Sequence, residues 1–233
     1  MTQQSGPAGA RTAQPGGGAE PAYVLFYSPG TASLCVHWLL QELGVPFELK
    51  LVDIENGAQR SPAFLEISPQ GRVPTLLVDG EPYGESAALL MLLAERHQQA
   101  GFAPDIGAPT RADWLEMMVY LANGVSPAFR DWFYAGKDGP TEGAEHVEAL
   151  AKRRIEDAWR RIDDRLADGR PYLLGERLTT ADLLATMLMR WSRNMDQPAT
   201  SWPHIAPYVT RMRARPAFAE VCRREGLREW RNP

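Results

Sequence analysis

Cysteine is scarce: Cys35 and Cys222 are the only two in 233 residues, and they lie far apart. No disulfide framework is available, and a reducing cytoplasm fits. The four histidines have no Cys or His partners at ligand spacing, which predicts no metal site. No apolar run approaches the ~20 residues that span a bilayer, so no membrane partner is expected. The opening MTQQSGPAGARTAQPGGGAEP lacks the apolar core of a secretory signal. Positive charge is not in excess: Lys and Arg number 25 against 29 Asp and Glu, a net charge of −4. That balance argues against a nucleic-acid partner, which demands a basic surface.

What is present is a globular composition, with 44% hydrophobic and 23% charged residues. Residues 1–21, rich in Gly, Pro, Gln and Ala, bury too little apolar surface to offset ordering and read as a disordered tail. The apolar run Tyr23–Tyr27 reads as a strand and Ser28-Pro29-Gly30 as a turn. ASLCVHWLLQELG has helical spacing and stops at Gly44 and Pro46. Residues 47–52 alternate with period two, Pro62–Ile67 suits a short helix, and residues 73–78 read as a third strand. Asp79-Gly80 is a hairpin signal, with 81–83 returning and a helix from about Ser86 to His97. This β-α-β-α-β-β-α order, over residues 22–98, is what a thioredoxin-like domain requires.

Residues 99–109 read as a Gly/Pro linker, and no later segment reads as a strand. Residues 110–228 therefore form an all-α bundle, giving an α+β two-domain chain. Its helices are expected from Pro109 and Thr110, carrying Trp114, Met117, Met118 and Leu121, and over about 141–167. A third starts at Thr179, where Asp182 reaches back in a capping box flanked by Leu178 and Leu183. Pro203 and Pro216 mark further helix starts. The basic run Lys152–Arg154, interleaved with Glu148, Glu156 and Asp157, reads as a solvated salt-bridging face.

Three short segments carry candidate chemistry. In QGRVPTLL, a proline entering a strand cannot donate a ladder hydrogen bond. Either Val73–Pro74 is cis, turning the Val73 amide and carbonyl outward to pair with an extended peptide, or it is a trans proline at a strand's first residue. In GESAALL, Ser86 falls at a helix start, where free amides and the positive dipole end bind anions. Ser86 with Glu85 suits a ligand presenting both an α-carboxylate and an α-amine; the alternative is an N-cap beside a solvated glutamate. In SPGTASLC, the Thr31 and Ser33 hydroxyls with helix amides would stabilise a ligand thiolate, or else one caps the helix and the other is solvated.

Together, YSPGTASL (27–34), SPQGRVPTL (68–76), GES (84–86) and LTTADLL (178–184) resemble, in order and spacing, the cytosolic glutathione transferases, nearest their bacterial beta-like branch. The resemblance covers about Tyr23 to Leu227. It implies that Val73 pairs with the cysteinyl backbone of glutathione, that Pro74 is cis, and that Glu85 and Ser86 grip the γ-glutamyl end. Arg72 and Arg60 are candidates for the tripeptide's carboxylates, against a plain surface role. It further implies glutathione as co-substrate, a homodimer and no metal.

This chain departs from the beta class at two places. Ala32 stands where that class has a cysteine, and Asn123 is the best match to its histidine. No mixed disulfide forms at Ala32, and no C-x-x-C survives for protein-disulfide exchange. The remaining hydroxyls are Ser33 first, then Thr31, then Tyr27, which alternatively packs inside at the strand end. Cys35, Cys222 and His37 read as core residues, and the other histidines as exposed or structural. A hydrophobic electrophile is expected between the domains, near Tyr120, Asn123, Trp132, Phe133 and Tyr134, although aromatics at this spacing also suit a core. The reaction implied is attack of the glutathione thiolate on that electrophile, or glutathione-dependent peroxide or disulfide reduction. The rival is a non-enzymatic glutathione-binding or protein-interaction module.

Overall fold

The computed structural model describes residues 22–137 and 141–230; the expected tail, 1–21, lies outside them. The first domain runs β1 Tyr23–Tyr27, α1 Leu34–Leu43, β2 Glu48–Leu51, α2 Pro62–Ile67, β3 Thr75–Val78, β4 Glu81–Tyr83 and α3 Ser86–Arg96. This is the order read from the sequence. The four strands form one mixed sheet in the order β2-β1-β3-β4, with β1–β2 parallel and the other pairs antiparallel. β3 begins at Thr75, opposite Phe26, because Pro74 has no N–H for the ladder. The β3–β4 hairpin turns at Asp79 and Gly80, both at positive φ (53° and 89°), as a tight two-residue turn requires.

Period-two alternation assigns the two faces of the sheet. Tyr23, Leu25, Leu76 and Val78 join the main core with α1 and α3. Val24 and Phe26, with Leu77 beside them, pack on Phe64 of α2 in a smaller cluster. α1 has no solvent face along Leu34–Leu40, where even His37 is buried. It lies between the sheet and the second domain, which explains its apolar sequence.

The second domain is α4 Arg111–Tyr120, α5 Ser126–Tyr134, α6 Ala144–Leu166, α7 Thr180–Trp191, α8 Ile205–Arg213 and α9 Pro216–Arg224. The helix expected from residue 110 is interrupted by a π-helical turn, Leu121–Val125, before α5. Pro127 removes one i→i−4 hydrogen bond just there, and the widened turn absorbs the mismatch. The basic run on α6 finds partners on other elements: Lys152 pairs with Asp196, and Arg154 lies 3.7 Å from Asp131. In the linker, Phe102 is buried and its carbonyl accepts from Thr180 N–H at 2.9 Å.

α7 is the axle of the molecule, buried from Thr180 through Arg190. The expected capping box starts it. Asp182 accepts from Thr179 N–H (2.8 Å), Thr179 Oγ1–H (3.0 Å), Leu173 N–H (2.8 Å) and Tyr208 O–H (3.1 Å). Burial pushes its carboxyl pKa up against these donors. Asp182→Ala strands four buried donors; equilibrium urea unfolding is expected to show a loss of about 2–4 kcal/mol.

Candidate active site

A cavity of about 380 Å³ opens where the two domains meet. One wall is polar and comes from the first domain: Ser68, Gln70, Arg72, Val73, Pro74, Thr75, Glu85 and Ser86. The facing wall is apolar apart from one hydroxyl and comes from the second domain: Ala122, Ser126, Leu184 and Met187. Ala32 lies at the opening of α1 between them.

Each polar element is set by local structure. The Val73–Pro74 bond is cis. Thr75 Oγ1 and Ser68 Oγ both donate to the Arg72 carbonyl, at 3.0 and 3.2 Å, and so hold the turn that presents Val73. Arg60 stands behind this turn, with Nη1 3.4 Å from the Gln70 carbonyl, and does not reach the cavity wall. Glu85 caps α3 at φ 65°, ψ 106°, a costly conformation for a residue with a Cβ. Such outliers cost of order 1–3 kcal/mol and concentrate at ligand sites. Glu85, not Ser86, is therefore the cap residue. Ser86 opens α3 and donates its hydroxyl to the Ala32 carbonyl at 2.8 Å, joining two parts of the wall.

The β1–α1 turn places the three expected catalytic hydroxyls elsewhere. Ser33 is fully buried, and its Oγ donates to the Ser28 carbonyl at 3.1 Å. Thr31 Oγ1 donates to the same carbonyl at 2.7 Å. These hydroxyls fold the turn on itself, so neither lines the cavity. Tyr27 packs its ring 6.0 Å from His37, and burial raises its phenol pKa.

The turn is also gripped from the second domain. Gly30 N–H donates to Glu225 Oε2 at 2.8 Å, and the Gly30 carbonyl accepts from Arg190 Nη1 (3.3 Å) and Trp191 Nε1 (3.0 Å). His37 Nδ1 donates to the other Glu225 oxygen at 2.7 Å, with both side chains fully buried. A Cβ on Gly30 would lie 2.7 Å from Arg190 Nη1 and be held at φ +67°, so any side chain there is strained and must displace the Arg190 grip.

The expected electrophile residues do not meet this cavity. Tyr120 lies under the Arg161 guanidinium (4.2 Å), and Tyr134 under that of Arg130 (4.7 Å). Trp132 and Phe133 stack into a cluster with Phe129, and Asn123 is exposed. Phe133 shares the α5 face of Ser126 two turns further on, but its ring packs on Phe129 and Trp132, and Ala122 and Ser126 are the residues of this stretch on the cavity wall. Nothing in those two small side chains marked them in the sequence. Gln70, by contrast, sits inside the SPQGRVPTL segment and was within reach of it. Both cysteines are buried, and desolvation pushes the Cys35 thiol up to about 12.

Fold and cavity define a two-domain protein of the thioredoxin-like type with an interdomain ligand site. Comparison with known proteins is specific. The family models described as "Glutathione S-transferase, N-terminal domain" and "Glutathione S-transferase, C-terminal domain" match residues 32–96 and 113–216. The chain is 29% identical over 214 residues to glutathione S-transferase GstA of Escherichia coli O157:H7, covering 88% of this chain and 99% of that one. The glutathione transferase structure from Methylococcus capsulatus str. Bath aligns with a TM-score of 0.75 at 30% identity, over 88% of this chain and 100% of its own. A sphingomonad glutathione S-transferase complexed with glutathione aligns with a TM-score of 0.76 at 29% identity, over 88% and 100%. The chain belongs to the glutathione S-transferase family, a family of transferases.

Two outcomes are expected from this geometry. Glu225→Ala leaves Gly30 N–H and His37 without an acceptor, and denaturant unfolding is expected to show a loss of about 2–4 kcal/mol. With both thiols buried and Cys35 raised to about 12, neither is presented to a reagent at pH 8. An aromatic disulfide reagent is expected to titrate no thiols in the native protein and both once it is unfolded.

Proposed function

We propose that this glutathione S-transferase binds reduced glutathione along the first-domain wall and presents its thiolate to a hydrophobic electrophile held against the second domain. One observation carries the reading. A single cavity joins a polar first-domain wall that includes Val73, Glu85 and Ser86 to an apolar second-domain wall, with Ala32 between them. An extended peptide pairs with exposed backbone as an added strand would. The Glu85 carboxylate suits the γ-glutamyl ammonium, and the free amides opening α3 suit its carboxylate. Arg72 and Gln70, on the same wall, suit the remaining carboxylate. The glutathione seen in the sphingomonad relative supports the same ligand here.

The chemistry then belongs to the ligand's sulfur. Its proton passes to solvent, and a sulfur lone pair forms the new C–S bond. In substitution the leaving group departs with its bonding pair. In conjugate addition the pair moves onto the acceptor and is neutralised by a solvent proton. The residue at position 32 carries no nucleophile, so no protein–glutathione mixed disulfide forms there.

No described helix is long and apolar enough to cross a membrane. Two buried cysteines, neither in a disulfide, suit a reducing cytoplasm. Leu115 and Val119, 41% and 51% exposed and one turn apart on α4, give a homodimer an apolar seam.

Isothermal calorimetry with reduced glutathione tests the reading. Wild-type protein is expected to bind, and Glu85→Gln to bind about tenfold or more weakly, the worth of a charged hydrogen bond. No heat of binding at millimolar glutathione overturns it. A bound thiol no more acidic than free glutathione points instead to a binding module without transferase chemistry.

A further inference from the structure

If glutathione lies as proposed above, its sulfur needs a hydrogen-bond donor at the α1 end of the cavity, and the hydroxyls of the β1–α1 turn are spent on Ser28. The hydroxyls on the cavity wall are therefore the relevant set: Ser68, Thr75, Tyr83, Ser86 and Ser126. A hydroxyl has one proton to give. Ser68 and Thr75 give theirs to the Arg72 carbonyl, and Ser86 gives its own to the Ala32 carbonyl. Tyr83 stands at the outer rim on β4, about half exposed. Ser126 differs: among the described residues its Oγ makes no hydrogen bond, and it is half-buried.

The backbone places that hydroxyl deliberately. Ser126 follows the π-helical turn Leu121–Val125, and only one residue in that widened turn, Ala122, shares the cavity wall with it. π-turns inside helices frequently re-aim side chains at functional sites. The methyl-sized Ala32, Ala87 and Ala122 line the same cavity, and Leu184 and Met187 add apolar surface from the second domain. A lone donor in apolar surroundings is worth more to an anion than the same donor in water.

We propose that Ser126 is a catalytic residue: its Oγ–H donates to the glutathione sulfur, favours the thiolate, and so replaces from the second domain the donor that the β1–α1 turn withholds. The hydroxyl keeps its proton throughout. The thiol proton goes to solvent, and the sulfur lone pair forms the bond to the electrophile.

The test compares wild type, Ser126→Ala and Ser126→Thr. Glutathione affinity is measured by calorimetry, the bound thiol's pKa by ultraviolet thiolate absorbance against pH, and turnover with 1-chloro-2,4-dinitrobenzene against pH. Ser126→Ala is expected to bind glutathione within about threefold of wild type at acid pH, where the thiol is protonated in both. Its bound thiol pKa rises by about one unit, a loss of thiolate that approaches tenfold at pH values well below that pKa. Turnover falls in proportion and recovers as pH rises, and Ser126→Thr restores most of the shift. If Ser126→Ala binds glutathione normally with an unchanged thiol pKa, the role assigned to Ser126 is overturned while the glutathione reading stands. An equal loss of turnover at every pH, with the thiol pKa unchanged, overturns it too and moves the hydroxyl to the electrophile. Absence of glutathione binding by the wild type overturns the underlying reading instead.

Discussion

The site depends on one constraint, the grip of the second domain on Gly30. A turn between a strand and a helix is a mobile object by default, yet here its tip is held by both backbone groups. Glu225 takes the amide, Arg190 and Trp191 share the carbonyl, and His37 braces the carboxylate from inside α1. The partners come from residues 190, 191 and 225, more than 150 positions away in the chain. Folding the two domains together is thus the same event as shaping the turn, and the start of α1 is positioned only when α7 and the end of α9 are in place. Such networks of buried charge are costly to leave half-satisfied, which favours one arrangement over near alternatives.

That rigidity explains why the turn's own hydroxyls are poor candidates for ligand chemistry. Ser33 and Thr31 serve the geometry of the turn, both donating to the Ser28 carbonyl. Their removal from the cavity leaves Ala32 as the wall at that point. With no thiol of the protein's own in reach, and Cys35 raised to about 12 in the core, the electron pair for any reaction has to arrive with the ligand.

The legible parts of the sequence were those governed by local rules. Alternation in Tyr23–Tyr27 gave β1, Asp79-Gly80 gave the hairpin, and Thr179 with Asp182 gave the start of α7, because each depends on residues a few positions apart. The wall made by Val73, Glu85 and Ser86 was also within reach, since a proline entering a strand and a helix start are local features. The remainder was hidden for physical reasons. Whether Ser33 faces a ligand depends on the curl of a turn that its own hydroxyl helps to form. Tyr120 and Trp132 look like pocket residues by type, but their direction depends on a π-turn that Pro127 imposes and spacing does not announce. Ala122 and Ser126 are too small to be noticed, although both line the cavity.

The two walls differ in how they are built, and this has a consequence for specificity. The polar wall is stitched together by hydrogen bonds across segments: Arg72 to Ser68 and Thr75, and Ser86 to Ala32. Moving any one of its residues disturbs the others, so it suits a ligand that never changes. The apolar wall consists of single side chains, Ala122, Leu184 and Met187, projecting from helices whose backbones are fixed elsewhere by packing. Exchanging one of those side chains alters the shape of the cavity without breaking a network. Methionine adds adaptability, because its unbranched thioether fits irregular surfaces. A constant partner on the stitched wall and a variable one on the loose wall is the division of labour that this construction permits, and it follows from which wall carries the hydrogen bonds.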